Sequence, residues 1–228
     1  MTTPSPAAQP VIETLRRLLY TAVVSDVLDG LGLTHQVLRP FVRPLDDTLV
    51  LFGRARTGRY ERAAPVPAAA GHNPYEKEMD LIDSLKPDEV AVLACGGPTE
   101  TIAPWGELLS TAARARQAAG CVTDGLVRDV IRIRAMALPV FHGGIGPLDT
   151  RGRAEMVAMD TPVTLAGVSI SPGDWILGDA DGVAVIPADR ADAVFRAALE
   201  KIAAEDTTRA ELEAGAPLRA VFARHGVL

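Results

Sequence analysis

The chain has 228 residues, enough for one domain with a sizeable core. Some 48% of them are hydrophobic, rich in Ala and Val and poor in aromatics, which suits closely packed α/β layers. A net charge of −6, with the arginines scattered among acids, argues against the basic patch of a nucleic-acid binder. No apolar run reaches the roughly 20 residues of a membrane helix. Residues 1–10 lack the basic start and apolar block of a secretory leader. A soluble cytoplasmic protein, with neither nucleic acid nor membrane as partner, is expected. Cys95 and Cys121 lie in or beside apolar runs, with no histidine at zinc spacing, and read as two buried thiols.

In chain order, residues 1–8 read as a disordered start. Residues 11–19 carry Ile12, Leu15 and Leu19 at helical spacing, and 21–31 predict a second helix that Gly30 and Gly32 would end. Residues 48–60 alternate like a strand. Residues 62–73, rich in Ala and Pro, predict a long loop of the kind that is often functional. Helical spacing returns over 75–85 through Met79, Ile82 and Leu85. A buried strand over 90–94, a helix over 105–119 and a buried strand over 121–123 predict a β-α-β unit. A helix over 127–136 and a strand over 138–142 follow. From Pro162 onward, four short strands up to residue 187 predict a compact antiparallel segment. A long amphipathic helix over 188–205 precedes a helical C-terminal extension, 207–228. No linker divides the chain, so a single domain over 1–228 is expected.

Two motifs could carry chemistry. Pro104-Trp-Gly-Glu-Leu-Leu predicts a helix start with Pro104 in its first turn. The backbone N–H groups of Gly106, Glu107, Leu108 and Leu109 would then lack intrahelical partners and could hold a carboxylate or phosphate. The plainer alternative is an ordinary helix start with a solvated Glu107. Asp124-Gly-Leu-Val-Arg-Asp129 follows a buried strand, and strand ends are where α/β folds place ligands. On a helix, neighbours point about 100° apart. Arg128 could therefore grip a substrate carboxylate while Asp129 holds a divalent metal. The alternative is a solvated Arg-Asp pair, with Asp124 serving only a turn. Gly178-Asp-Ala-Asp-Gly182 lacks calcium-loop spacing and reads as a hairpin turn. Of the histidines, only His72 and His142 stand near candidate loops.

The order and spacing of these blocks, with Pro139-Val-Phe, Pro172-Gly-Asp174 and Asp179-Ala-Asp-Gly-Val-Ala-Val-Ile-Pro187, resemble the RraA-like family. That family includes the regulators of ribonuclease E activity and the 4-hydroxy-4-methyl-2-oxoglutarate aldolases. The resemblance runs from Thr21 to the C-terminus. It implies an α/β fold, a layered sandwich of the swivelling β/β/α type with a central mixed sheet. It also implies a homotrimer or homohexamer with sites between subunits. In the aldolase branch, Arg128 would bind the pyruvyl carboxylate and Asp129 would bind Mg²⁺ or Mn²⁺. Gly106, Glu107, Leu108 and Leu109 would complete the substrate site. Glu107, and Glu205 from a neighbouring subunit, would reach the metal through water. The implied activity is cleavage of a C–C bond in a small 2-oxo-acid to give pyruvate, with oxaloacetate decarboxylation alongside. Arg128 and Glu107 are the candidate catalytic residues. The alternative is a non-catalytic regulator of the ribonuclease E inhibitor type, a branch that typically lacks the Arg-Asp pair. Residues 62–75 and the following Glu76-Lys-Glu78 depart from the aldolase branch, so the resemblance does not fix the oxo-acid.

Overall fold

The computed structural model describes residues 9–63 and 72–226. The expected disordered start and most of the expected 62–73 loop lie outside them. Helix α1 spans Gln9–Leu18 and α2 spans Thr21–Gly30. Strand β1 (Arg43–Pro44) and the long β2 (Leu51–Arg62) follow, then α3 (Glu76–Asp83) and β3 (Glu89–Ala94). Next come α4 (Glu107–Ala115), β4 (Gly120–Thr123), β5 (Leu126–Val127) and α5 (Val130–Ala135). Strands β6 (Val140–His142), β7 (Gly144–Ile145) and β8 (Ala154–Met159) lead to the hairpin β9 (Val163–Leu165) and β10 (Val168–Ile170). The chain closes with β11 (Trp175–Asp179), β12 (Gly182–Ile186), α6 (Ala191–Glu213) and α7 (Leu218–His225).

The central sheet is mixed, in the order β1-β6-β4-β3-β2-β11-β12, with β8 also on β2. Strands β6, β4, β3 and β2 run parallel; β1, β8, β11 and β12 are antiparallel to their neighbours. A bridge between Val37 and Ala184, and the Leu38 N–H donating to the Val183 carbonyl at 2.9 Å, draw the chain before β1 alongside β12. The sheet is therefore nearly closed. Strand β3 shows why its sequence is apolar after Glu89. Ala91 and Leu93 face a cluster under α3, α4 and α5, while Val90, Val92 and Ala94 face the sheet interior. A strand buried on both faces has no polar side to show. A third cluster gathers α1, α2 and α6 over β11 and β12.

Several elements differ from expectation. The 105–119 helix is shorter at both ends: Trp105 is fully buried and strand-paired with Val127, leaving Gly106 as the extended N-cap, and past Ala115 the chain turns left-handed at Gln117, φ 60°. Pro104 therefore precedes the helix rather than occupying its first turn. The expected helix over 127–136 begins only at Val130; Leu126 and Val127 pair with β7. Strand β8, built of Ala, Glu and Met, has little strand propensity and was not anticipated; pairing with β2 overrides it. The antiparallel segment divides: β9 and β10 form their own two-stranded sheet, whereas β11 and β12 extend the central one. Helix α6 runs on through Thr207 to Glu213: Thr208 is buried, and the Thr207 hydroxyl donates to the Ala203 carbonyl instead of competing for the backbone outside the helix. Among the described residues no helix is long and apolar enough to cross a membrane.

Phe52 of β2 stacks on Trp175 of β11 at 4.8 Å and meets Phe195 of α6 edge-on at 5.8 Å. Its burial locks the sheet to the outer helix. Phe52→Ala should cost about 3–5 kcal/mol, read as a lower urea midpoint. A loss under about 1 kcal/mol would mean that the helix layer holds without this cluster.

Candidate active site

The loops after β3, β4 and β6 meet beyond the carboxyl ends of these parallel strands. The Leu126 N–H donates to the Ile102 carbonyl at 2.8 Å and the Arg128 N–H to the Trp105 carbonyl at 3.0 Å. On its other side the same segment pairs as β5 with β7. Asp124 pins the base of the arrangement. Its buried carboxylate accepts from the Cys95 N–H at 2.6 Å and the Gly97 N–H at 2.7 Å. Asp124 is thus structural, as the turn reading expected. Gly97 is needed because an added Cβ would sit 2.0 Å from the Asp124 carbonyl oxygen.

A cleft of about 400 Å³ opens at this end. Gly106, Glu107, Leu108, Leu109, Arg128 and Asp129, all singled out in the sequence, line it together. Their geometry differs from the expected one. Arg128 and Asp129 do not share a helix; Asp129 is the N-cap of α5, in the left-handed region at φ 60°. Asp and Asn tolerate that conformation better than most residues. The turn swings the Asp129 carboxylate back to the start of α4, where it accepts from the Glu107 N–H at 3.3 Å. One expected open N–H is therefore occupied. Those of Leu108 and Leu109 have no acceptor among the described residues. Gly106 makes room for the pair rather than for a ligand alone. A Cβ there would come within 2.9 Å of Asp129 Oδ2 and 3.1 Å of Arg128 Cγ.

Arg128 is flanked by two carboxylates without being saturated by either. Its Nε lies 3.7 Å from Asp129 Oδ2 and its Nη1 lies 3.6 Å from Asp149 Oδ2. Both separations exceed a hydrogen bond. The side chain is 36% exposed and makes no hydrogen bond to a described residue, so its planar fork is available at the cleft.

Tyr75, Glu78 and Asp149 also line the cleft and were not singled out in the sequence. Tyr75 donates its hydroxyl to Asp149 Oδ2 at 2.8 Å. Burial pulls Asp149 upward, but the Tyr75 hydroxyl, the Arg151 N–H and the charge of Arg128 hold it below the usual carboxylate range. Glu78 is 8% exposed and accepts from the Tyr60 hydroxyl at 2.6 Å. Burial pushes it up to about 7, against the opposing pull of Tyr60 and Arg128. A signal for Glu78 was present: with Leu81, Ile82 and Leu85 it forms the buried stripe at helical spacing. Met79, expected on that stripe, is instead exposed.

The remaining candidates stand apart. Glu205 accepts from the Tyr20 hydroxyl and lies 3.7 Å from Lys201 on α6, and within one chain it does not line the cleft. His72 meets Glu155 at 2.9 Å. His142 is buried beside β1 and stays out of the cleft. Asp179 of the β11–β12 hairpin receives the Thr21 N–H at 2.7 Å and the Thr21 hydroxyl at 2.6 Å, so it caps α2. Among the described residues, no three His, Cys, Asp or Glu side chains converge on a ready-made metal cage.

The chain belongs to the RraA-like family, whose Aldolase/RraA sequence profile matches residues 21–185. It is 32% identical over 190 residues to a Halalkalibacterium halodurans protein provisionally named a 4-hydroxy-4-methyl-2-oxoglutarate aldolase, covering 83% of each chain. It is 30% identical over 198 residues to protein DlpA of Legionella pneumophila. That match covers 87% of this chain but 31% of DlpA, so the chain spans about a third of that relative's length. A crystal structure of RraAS2 from Streptomyces coelicolor, described as an unusual member of the RNase ES inhibitor RraA family, superposes with a TM-score of 0.78 at 24% identity. The superposition covers 92% of this chain and 100% of that one. At that identity the likeness concerns the fold, and the layered mixed-sheet architecture is the expected one.

Glu78 makes stability depend on pH. Its folded pKa lies above the ordinary 4.5, so folding favours the protonated form. That contribution is complete below 4.5 and is lost as pH rises through about 7. Glu78→Gln keeps an acceptor for Tyr60 and removes the titration. The variant should gain thermal stability relative to wild type on going from about pH 4 to about pH 8. A difference that is the same at both pH values would show that folding leaves the proton affinity of Glu78 unshifted.

Proposed function

We propose that the protein is a divalent-metal-dependent carbon–carbon lyase that releases pyruvate from a small 2-oxo-acid. The cleavage would be of the 4-hydroxy-4-methyl-2-oxoglutarate aldolase type, with oxaloacetate decarboxylation as a second activity. One observation carries the reading. Arg128 presents an unsaturated guanidinium fork in a cleft that it shares with Asp129 and the start of α4. The names of relatives such as the Halalkalibacterium halodurans protein point the same way.

Arg128 would bind the substrate carboxylate through two parallel N–H···O bonds. The Leu108 and Leu109 N–H groups at the helix start would offer a second cradle for anionic oxygen. Asp129 is a half-exposed hard oxygen donor, with Glu107 beside it on the same cleft. One or two carboxylates completed by water and substrate suit Mg²⁺ or Mn²⁺ better than zinc. Such an ion would supply Lewis-acid polarisation of the 2-oxo group. Asp149, held by the Tyr75 hydroxyl, would attract the Arg128 fork across the cleft and favour one substrate pose.

Purified protein should release pyruvate from oxaloacetate in the presence of Mg²⁺, measured by coupled NADH oxidation, and excess chelator should abolish it. Arg128→Lys should lower kcat/KM about ten- to a hundred-fold, mainly through KM, because it keeps the charge and loses the fork. Release undiminished in chelator would remove the metal from the reading. No release from oxaloacetate or from 4-hydroxy-4-methyl-2-oxoglutarate would favour a binding protein of the regulator type.

A homo-oligomer with clefts at subunit contacts fits the same reading. Leu108, Ile131 and Ile145, on α4, α5 and β7 around the Arg128–Asp129 turn, are 75%, 81% and 56% exposed. Apolar side chains grouped in this way commonly mark an interface. Light scattering should give a trimer or hexamer at micromolar concentration; a monomer would exclude the interface and any role for a neighbouring Glu205.

A further inference from the structure

We propose that Glu78, rather than Glu107, takes the proton from the substrate hydroxyl beside the scissile C–C bond. The assignment rests on the lyase reading above and deepens it by naming the base. Glu107 is half-exposed, and its Oε1 accepts from the Thr111 hydroxyl at 3.2 Å. Glu78 is nearly sealed from solvent and still lines the cleft. Its Oε2 is held by the Tyr60 hydroxyl at 2.6 Å. Its other carboxyl oxygen has no hydrogen-bond partner among the described residues.

The groups facing Glu78 come from every side. They are Tyr60 of β2, Arg128 of the β5–α5 turn, Asp149 of the loop before β8 and Tyr75 at the start of α3, with Cys95 after β3 at longer range. Arg128 is the one cation among them, and it is the residue proposed to hold the substrate carboxylate. A substrate anchored there extends its distal carbons into the cleft that Glu78 borders. A buried carboxylate is a costly group for a fold to keep, and such groups concentrate at sites of proton transfer. Burial also sets its proton affinity near neutrality, where a base can both take and return a proton.

The step balances within the substrate and this one carboxylate. Glu78 takes the proton of the 4-hydroxyl. The O–H pair becomes the new carbonyl π bond as the C3–C4 bond breaks. The pair from that bond moves into the C2 carbonyl, leaving the enolate of pyruvate. Glu78 then returns the proton to C3, which restores both the carboxylate and the ketone. Oxaloacetate loses CO₂ through the same enolate without any hydroxyl proton to remove. Its decarboxylation therefore calls on Glu78 only for the final proton, which water can also supply.

The test compares the two reactions in Glu78→Gln, with oxaloacetate and 4-hydroxy-4-methyl-2-oxoglutarate as probes. Aldol cleavage should fall by about 10²–10⁴-fold, and decarboxylation far less, so that the ratio of the activities changes sharply. Tyr60→Phe removes the donor that favours the charged carboxylate. It should move the acid limb of the aldol pH profile upward and leave that of decarboxylation in place. Equal losses in both reactions, or no loss in either, would overturn the assignment while leaving the lyase reading intact. Wild-type protein inert toward both acids would overturn the lyase reading, and the assignment with it. Infrared titration of metal-free protein supplies a readout apart from turnover. A carboxyl band titrating near neutrality should be present in wild type and absent from Glu78→Gln; its persistence in the variant would assign the titration to another group and refute the proposal.

Discussion

Parallel strands buried on both faces must deliver the loops that follow them to one end of the sheet. Strands β3, β4 and β6 are such a set, and the segments after all three converge there. Loop segments in a packed interior cannot leave their backbone groups unpaired. Here they pair with one another: residues 102–105 run along 126–128, which also pair with 144–145. Asp124 fastens the remaining turn through two backbone N–H groups. Arg128 and Asp129 thus sit on a small backbone ladder rather than on a free loop, which is the kind of support that holds a binding residue in one geometry.

Charge at the cleft is deliberately uneven. Glu78, Glu107, Asp129 and Asp149 line it, with Arg128 as the single cation among the lining residues. Four carboxylates repel one another, so such a grouping favours a bound cation and lifts the proton affinity of the most buried member. Glu78 and Asp149 respond in opposite ways. Asp149 is stabilised as a carboxylate by Tyr75, a backbone N–H and Arg128, whereas Glu78 has one hydroxyl and a dry surrounding. Two acids whose environments push their protonation apart can divide holding and proton transfer between them.

Family membership joins two kinds of protein, one named for catalysis and one for inhibition. The fold alone does not choose between them, because function resides in the site carried on it. What separates the two readings in this chain is local. The Arg-Asp pair is present, Gly106 leaves it space, and the neighbouring α4 start has N–H groups to offer. Leu108, Ile131 and Ile145, on the elements that flank that turn, are exposed apolar side chains.

Periodicity in the sequence was enough for the β3–α4–β4 unit, the two N-terminal helices and the later short strands, because these elements follow local hydrophobic pattern. The motif residues Gly106, Glu107, Arg128 and Asp129 were also legible, since a glycine, an arginine and carboxylates at strand ends are chemically conspicuous. Local pattern could not place β8, whose Ala and Met content suits a helix as well as a strand; only the open edge of β2 decides it. Nor could it start α4 after Trp105 or stretch α6 past Thr208, where the burial of those two residues is decided by the fold. Asp149 and Tyr75 are distant in sequence and carry no motif, so their meeting at Arg128 depends on the packing of α3 against the loop before β8. Glu78 lies between these cases. Its position on an apolar helical stripe could be read from the sequence. Its phenol partner, and the burial that raises its proton affinity toward neutral pH, come only from the tertiary structure, because burial and charge proximity are properties of the folded chain.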